Sequence, residues 1–258
     1  MLKKVRAFFR ITYFALGSVY FMSRYLIKAT FVGNDLNRIL HIRKRWFALI
    51  HKGLGVQIER VGELPKEAGL LVCNHRSYYD PLIVLSELLA HPVGKIEMAV
   101  WPIIGPGAKM SGVIFVDRKT KEGRQKARQD ILESIQAGYF VINYPEGTTH
   151  TESQTKDFKP ALFKDAAAAG FPIYPVVQEY QSDGDAWVGD DTFLNHFFNC
   201  FGKKKTYVRL SYGSKIIGDN PEELMRQSKQ WIDAELLRLR KNWHHSDQTF
   251  LDNATKMV

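Results

Sequence analysis

Two stretches of helical periodicity open the chain, and shorter apolar segments follow. Ile11 to Ser23 is an uncharged, aromatic-rich run bounded by Arg10 on one side and by Arg24 and Lys28 on the other. Gly33-Asn34-Asp35 closes the helix that carries it and supplies an N-cap for the next one. Between residues 36 and 52, Leu36, Ile39, Leu40, Trp46, Phe47, Leu49 and Ile50 recur at helical spacing among Arg38, Arg43, Lys44, Arg45 and Lys52. That pattern predicts a basic amphipathic helix. From Val56 the style changes. Val56 to Val61 alternates like an exposed strand, whereas Leu70 to Cys73 and Val113 to Val116 are continuous apolar runs, as in strands covered on both faces. Tyr139 to Tyr144, Ile173 to Gln178 and Tyr207 to Tyr212 read as further strands. Helices are predicted over 81–90, Lys121 to Gln136, Ala161 to Ala169, and from Asn220-Pro221 to about Lys241. The alternation predicts an α/β fold over 56–258, a mostly parallel central sheet covered by helices, preceded by a two-helix segment over 1–55.

Charge gives that segment a direction. The 258-residue chain carries a net charge of +9. Residues 1–60 hold twelve Lys/Arg against Asp35 and Glu59, so the whole excess lies there. Such a segment faces a polyanion. The apolar residues interleaved with it favour an anionic membrane surface over nucleic acid. Thirteen helical residues reach only about 20 Å, against a hydrocarbon core of roughly 30 Å. The expectation is a two-helix membrane-docking unit, peripheral or shallowly inserted on the cytoplasmic face of the cell membrane. A true span aided by snorkelling arginines, and helices packed on their own domain, are the alternatives. No small-residue cleavage site follows the basic start, as a signal peptide would require. Two cysteines far apart in sequence exclude a disulfide framework.

In parallel, helix-covered sheets, ligands bind beyond the carboxyl ends of the strands. His75 follows one predicted strand, Asp117-Arg118 a second and Glu146-Gly147-Thr148 a third, so three polar clusters are expected to meet in one cleft. An imidazole with a partner carboxylate has a fixed tautomer and a stabilised charged form, as a general base near neutral pH needs. Asp80, five residues after His75, can serve as that partner; alternatively it is a helix-start acid favoured by the dipole. No G-x-S-x-G elbow, Walker loop or dinucleotide-binding glycine pattern occurs. Cys73 lies inside an apolar strand and reads as core. His75, Asp80, Glu146 and His150 could ligate zinc, but their spacing lacks the two-His helix face of H-E-x-x-H sites.

Four ordered blocks carry a resemblance. Asn74-His75-x4-Asp80, Gly112 to Arg118, Tyr144-Pro145-Glu146-Gly147-Thr148 and Phe171 to Val176 are similar, in that order, to the blocks of the PlsC-type glycerolipid acyltransferases. Gly94-Lys95-Ile96-Glu97-Met98 resembles that family's lysine-containing segment. The likeness covers about 56–218. It implies direct acyl transfer from acyl-CoA or acyl-carrier protein to a lysolipid hydroxyl, without metal, cofactor or covalent enzyme intermediate. His75 would be the general base and Asp80 its orienting acid. Glu146 would contact the acceptor's hydroxyls, Gly147 would allow close approach, and a backbone N–H near Gly147-Thr148 would meet the oxyanion. Lys95 and Arg118 would anchor the headgroup or the donor's phosphates. For Glu146 the plain alternative is a strand-end cap, and for Lys95 and Arg118 a surface charge.

The third block departs from the form seen in enzymes acting on lysophosphatidate, where an Arg follows Thr148; here the residue is Thr149. The expected acceptor is 1-acylglycerol-3-phosphate, with a lyso-ornithine or other amino-lipid, or another lysophospholipid, as alternatives. Two rivals of other classes are a non-catalytic lipid-binding membrane protein and a thioesterase.

Overall fold

The computed structural model describes residues 1–33, 35–101, 104–241 and 243. Asn34, the middle residue of the first predicted helix stop, lies outside them. Helix α1 runs Leu2–Val32 and α2 Leu36–Leu54, capped by the Asp35 side chain, which accepts from the Arg38 N–H. The strands are β1 (Val56–Val61), β2 (Leu70–Cys73), β3 (Ala90–Lys95), β4 (Ile114–Val116), β5 (Phe140–Asn143), β6 (Ile173–Tyr180) and β7 (Thr206–Tyr212). Between them lie α3 (Asp80–Leu85), α4 (Ile104–Met110), α5 (Lys121–Gln136), α6 (Ala161–Ala169) and α7 (Phe193–Phe201), and α8 (Pro221–Lys241) closes the described chain.

These strands form one sheet in the order β1-β7-β6-β2-β5-β3-β4. It is parallel throughout except where β7 runs antiparallel to β6. The carboxyl ends of β2, β4 and β5 therefore share one edge, and the predicted polar clusters follow them. Two apolar cores cover the sheet. One gathers Trp46, Ile50, Ile83, Phe197 and Phe201 onto Leu71, Cys73 and Ile142; the other packs Ile131, Phe163, Ile232 and Leu236 onto Leu70, Val72 and Val141. Alternate residues of β2 point to opposite cores, which is why the strand reads as a continuous apolar run.

One predicted element is corrected. Residues 81–90 do not form a single helix: α3 ends at Leu85, and Ala90 already belongs to β3. A short apolar run such as Leu88-Leu89-Ala90 has no period long enough to separate helix from strand. Pro92, which has no N–H to donate, excludes a helix interior there. It sits where β3 changes partner, after pairing β5 through Ala90–Pro92 and before pairing β4 through Val93–Lys95.

The N-terminal helices are built into the same body. Trp46, Ile50 and Leu54 of α2 are members of a sheet core, and Ile11, Phe14 and Phe21 of α1 pack against it. Gly17 makes the crossing possible: a Cβ there would fall 2.0 Å from the Trp46 ring. Position 55/56 thus separates two helices from a sheet in sequence, while their cores are shared. Several of the N-terminal cations also serve the interior. Arg6 and Arg10 donate to the carbonyls of Gly202 and Phe201 at the end of α7. Buried Arg43 donates to the carbonyls of Ser111 and Ala90, and burial lowers its pKa to about 9. The opposite side of α1 exposes Phe8, Phe9, Leu16, Tyr20, Ile27 and Phe31. At 31 residues α1 is about 46 Å long. No helix among the described residues is long and apolar enough to cross a membrane.

Candidate active site

The chain leaves β2 at Asn74, whose buried amide locks the exit in place. It accepts from the Gln178 N–H at 2.8 Å and donates to the Gln178 carbonyl at 2.9 Å, tying the loop to β6. The loop then turns tightly into α3, with Asp80 as its first residue and Pro81 behind it. Four donors converge on the fully buried Asp80 carboxylate. Oδ2 accepts from His75 Nδ1 at 2.9 Å and from the N–H groups of Arg76 and Ser77 at 2.7 and 2.8 Å. Oδ1 accepts from the Tyr180 hydroxyl at 2.8 Å. Burial first, and Asp80 second, push the Tyr180 phenol well above its usual range, so it stays a donor. A carboxylate only accepts, so Nδ1 of His75 carries the proton and Nε2 presents a lone pair. The imidazole stacks on Tyr144 at a centroid distance of 4.1 Å, and its side chain keeps 21% of its exposure. The imidazole is thus held in one tautomer and still reaches the solvent-accessible side.

The third block lies opposite. Gly147 adopts a positive φ of 72°, and a Cβ there would meet Lys159 Nζ at 2.6 Å, so both backbone and space favour glycine. Its N–H donates to the Tyr144 carbonyl at 3.1 Å, and its own carbonyl accepts from Arg118 at 3.2 Å. Glu146 points the other way. Its side chain is fully buried and accepts from the His75 N–H at 3.0 Å, the Lys156 N–H at 2.7 Å and His150 Nε2. The Thr149 hydroxyl donates to the Trp187 carbonyl, and the Trp187 N–H donates to the Arg76 carbonyl at 2.8 Å. The Trp187 ring packs edge-on to Tyr78, 5.2 Å away, which brings the segment after β6 across both blocks.

A cavity of about 430 Å³ begins at His75 and extends between α1, α2 and the sheet, past Phe14, Phe21, Trp46, Leu85 and Phe197. Its walls are mostly aromatic and aliphatic. The polar part includes Lys95, Arg118, Thr148, Thr149 and Trp187, and no Asp or Glu lines it among the described residues. The Phe193 to Phe201 stretch is a helix that contributes both to this wall and to the core.

The predicted site residues thus divide in two. His75, Lys95, Arg118, Gly147 and Thr148 line one cavity, while Asp80 and Glu146 stand behind it. Tyr180 and Trp187 complete the arrangement without having been singled out, and Arg76 and His150 join them through buried hydrogen bonds, His150 having been weighed only as a zinc ligand. Arg76 and His150 sit beside the quoted motifs, so adjacency was their signal; Tyr180, a hundred residues from Asp80, had none. Buried Cys73 has its thiol pushed well up, chiefly by burial, and is no thiolate. No three His, Cys, Asp or Glu side chains group as a metal-holding set among the described residues.

Comparison with known proteins gives the arrangement a family. Residues 55–179 match the family model described as Acyltransferase. The lyso-ornithine lipid O-acyltransferase of Pseudomonas aeruginosa is 30% identical over 199 residues, covering 74% of this chain and 76% of the relative. The chain belongs to the PlsC-type acyltransferases. A 1-acyl-sn-glycerol-3-phosphate acyltransferase of Neisseria gonorrhoeae is 25% identical over 53% of each chain. The crystal structure of the 1-acyl-sn-glycerophosphate acyltransferase PlsC from Thermotoga maritima shares the fold, with a TM-score of 0.64 at 20% identity, covering 93% of this chain and 95% of that one. This PlsC-type chain is an O-acyltransferase acting on lysolipids.

Proposed function

We propose that the enzyme moves a fatty acyl group directly from a thioester, acyl-CoA or acyl-carrier protein, to a lysolipid hydroxyl, with His75 as general base. The observation that carries this reading is the His75–Asp80 pair at the mouth of an apolar cavity. The lone pair on Nε2 takes the hydroxyl proton as the lipid oxygen attacks the thioester carbonyl, and Asp80 offsets the imidazolium charge. A C–O bond forms; the C–S bond then breaks, and the imidazolium returns its proton to the departing thiolate. The Gly147 N–H is committed to Tyr144, so the oxyanion donor is assigned to the Thr148 N–H. Lys95 and Arg118 hold anionic groups of the headgroup or donor at the cavity rim. Besides the two substrates the step uses no cofactor.

For the acceptor, we place a lyso-ornithine-type amino-lipid first. Similarity to the enzyme so named extends over about three quarters of the chain, and Thr149 offers a hydroxyl tied to Trp187 where no cation stands. Lys95 and Arg118, in a cavity lining that holds no Asp or Glu among the described residues, favour a second reading, 1-acylglycerol-3-phosphate, because its phosphate is the stronger anion. Incubating the full-length protein with an acyl thioester and each lysolipid in turn, and weighing the products, separates them. Ester formed with a higher kcat/KM on lyso-ornithine lipid supports the first; preference for lysophosphatidate supports the second; ester from neither sinks both.

The exposed apolar side of α1, with Lys3, Lys4, Arg24 and Lys28 on the same helix, is assigned to the anionic interface of the cytoplasmic leaflet. Removing residues 1–52 would strip Trp46 and Ile50 from the core, so outward point changes are the fitting test. Phe9→Ser with Leu16→Ser and Ile27→Ser should release the protein from phosphatidylglycerol vesicles in flotation; undiminished binding would contradict the assignment.

A further inference from the structure

The third block and the residues just after it contain a second His–carboxylate pair that the mechanism above does not use. Glu146 Oε1 accepts the His75 N–H, and Oε2 accepts both His150 Nε2 and the Lys156 N–H. On the far side, His150 Nδ1 faces two donors, Arg76 Nη1 and the Glu152 N–H, each at 3.2 Å. A nitrogen facing two donors carries no proton, so the proton lies on Nε2 and is given to Glu146. Arg76 is itself fixed, through Nε to Glu179 at 3.0 Å and through Nη1 and Nη2 to the carbonyls of His150 and Glu152 at 2.8 Å each. Glu179 also accepts from Arg240 of α8 at 2.7 Å. The His150 N–H in turn reaches the His75 carbonyl at 3.4 Å. The peptide groups on both sides of the His75 Cα are therefore held by this one block.

We propose that Glu146 and His150 form a positioning pair. Together they set the backbone of His75, and Glu146 does this without touching the acceptor. The carboxylate has all its neighbours inside the protein and is absent from the cavity wall, whereas Gly147 and Thr148 beside it line that wall. His150 orients Glu146 as Asp80 orients His75, but in a buried place where no substrate arrives. A base displaced by about 1 Å loses on the order of a hundredfold in rate, which is the size of effect such a clamp can protect. The inference rests on His75 being the general base.

Steady-state kinetics on the full-length enzyme, with each acceptor titrated, tests it through Glu146→Gln, His150→Ala, His150→Gln and the Glu146→Gln/His150→Ala double variant. Glu146→Gln turns an amide NH2 toward N–H donors and should lower kcat by about a hundredfold, with acceptor KM changed less than about twofold. His150→Ala should act in the same sense, and His150→Gln, whose amide restores a donor near the Nε2 position, should recover most of kcat. The double variant should be no slower than Glu146→Gln alone, because the two act as one unit. A large rise in acceptor KM at unchanged kcat would place Glu146 on the acceptor and overturn the proposal. So would additive losses, or a His150→Ala enzyme with a lowered Tm and an unchanged kcat. Should Glu146→Gln fail to fold, the contrast between His150→Ala and His150→Gln decides. Absence of acceptor-dependent transfer by the wild type overturns the general-base reading itself, and this inference with it; the kinetic splits overturn only the inference.

Discussion

Two His–carboxylate pairs stand within one loop's reach of each other, and they differ in what surrounds them. The His75 side chain keeps 21% of its exposure and lines the cavity, whereas that of His150 keeps 5% and is hydrogen-bonded through both nitrogens. Asp80 is saturated by four donors that include His75, and Glu146 by three that include His150. The pairing chemistry is the same; access to the cavity is what differs. A histidine becomes a reagent when one nitrogen is fixed and the other is left to the substrate.

Substitutions in the exposed pair should have the largest effect. His75→Ala removes the proton acceptor and should lower kcat by ~10²–10⁴, read as thiol release in the presence of lysolipid, with Tm nearly unchanged. A variant retaining full activity would end the distinction between the two pairs. Asp80→Asn is milder. With its amide oxygen toward His75, Arg76 and Ser77, and its NH2 toward Tyr180, every hydrogen bond can persist while the charge is lost. Its kcat should fall by about a hundredfold, the low end of a general base's contribution. A loss as deep as that of His75→Ala would mean that His75 works as a base only with the Asp80 charge behind it.

A histidine with no part in the cavity chemistry sharpens the comparison from outside. His51 on α2 is buried, donates to or accepts from the Tyr79 hydroxyl at 2.6 Å, and has no carboxylate partner among the described residues. Burial lowers its pKa to about 4. A depressed histidine contributes stability that is complete above its ordinary value near 6.5 and is lost as the pH falls toward 4. Over that window the loss is on the order of 3 kcal/mol, so the difference in unfolding free energy between wild type and His51→Gln should shrink on acidification. A constant difference between pH 7 and 4 would show that His51 does not titrate on unfolding.

What the sequence makes legible follows the range of the signal. The strand exits at His75, Arg118 and Gly147 were readable because apolar runs stop at polar residues there, and the parallel sheet brings those ends to one edge. Tyr180, Trp187 and Glu179 reach the site from β6 and the segment after it, and their neighbourhood exists only once β6 pairs with β2. The helix predicted over 81–90 failed because β3 is a six-residue strand whose apolar start has no period of its own. The basic face of α2 was legible as charge, yet Arg43 lies inside, held by two carbonyls that no local pattern announces. That Asp80 pairs with a cavity-lining histidine and Glu146 with a buried one was likewise invisible in one dimension, since each acid lies four or five residues from its histidine.

Thiol release from an acyl thioester by the purified enzyme, followed with and without lysolipid, tests the central claim most directly. Direct transfer through His75 predicts release only when a lysolipid hydroxyl is present, in step with ester formed and with no acyl group left on the protein. Release at an undiminished rate without lysolipid, or a burst of protein-bound acyl, would contradict it.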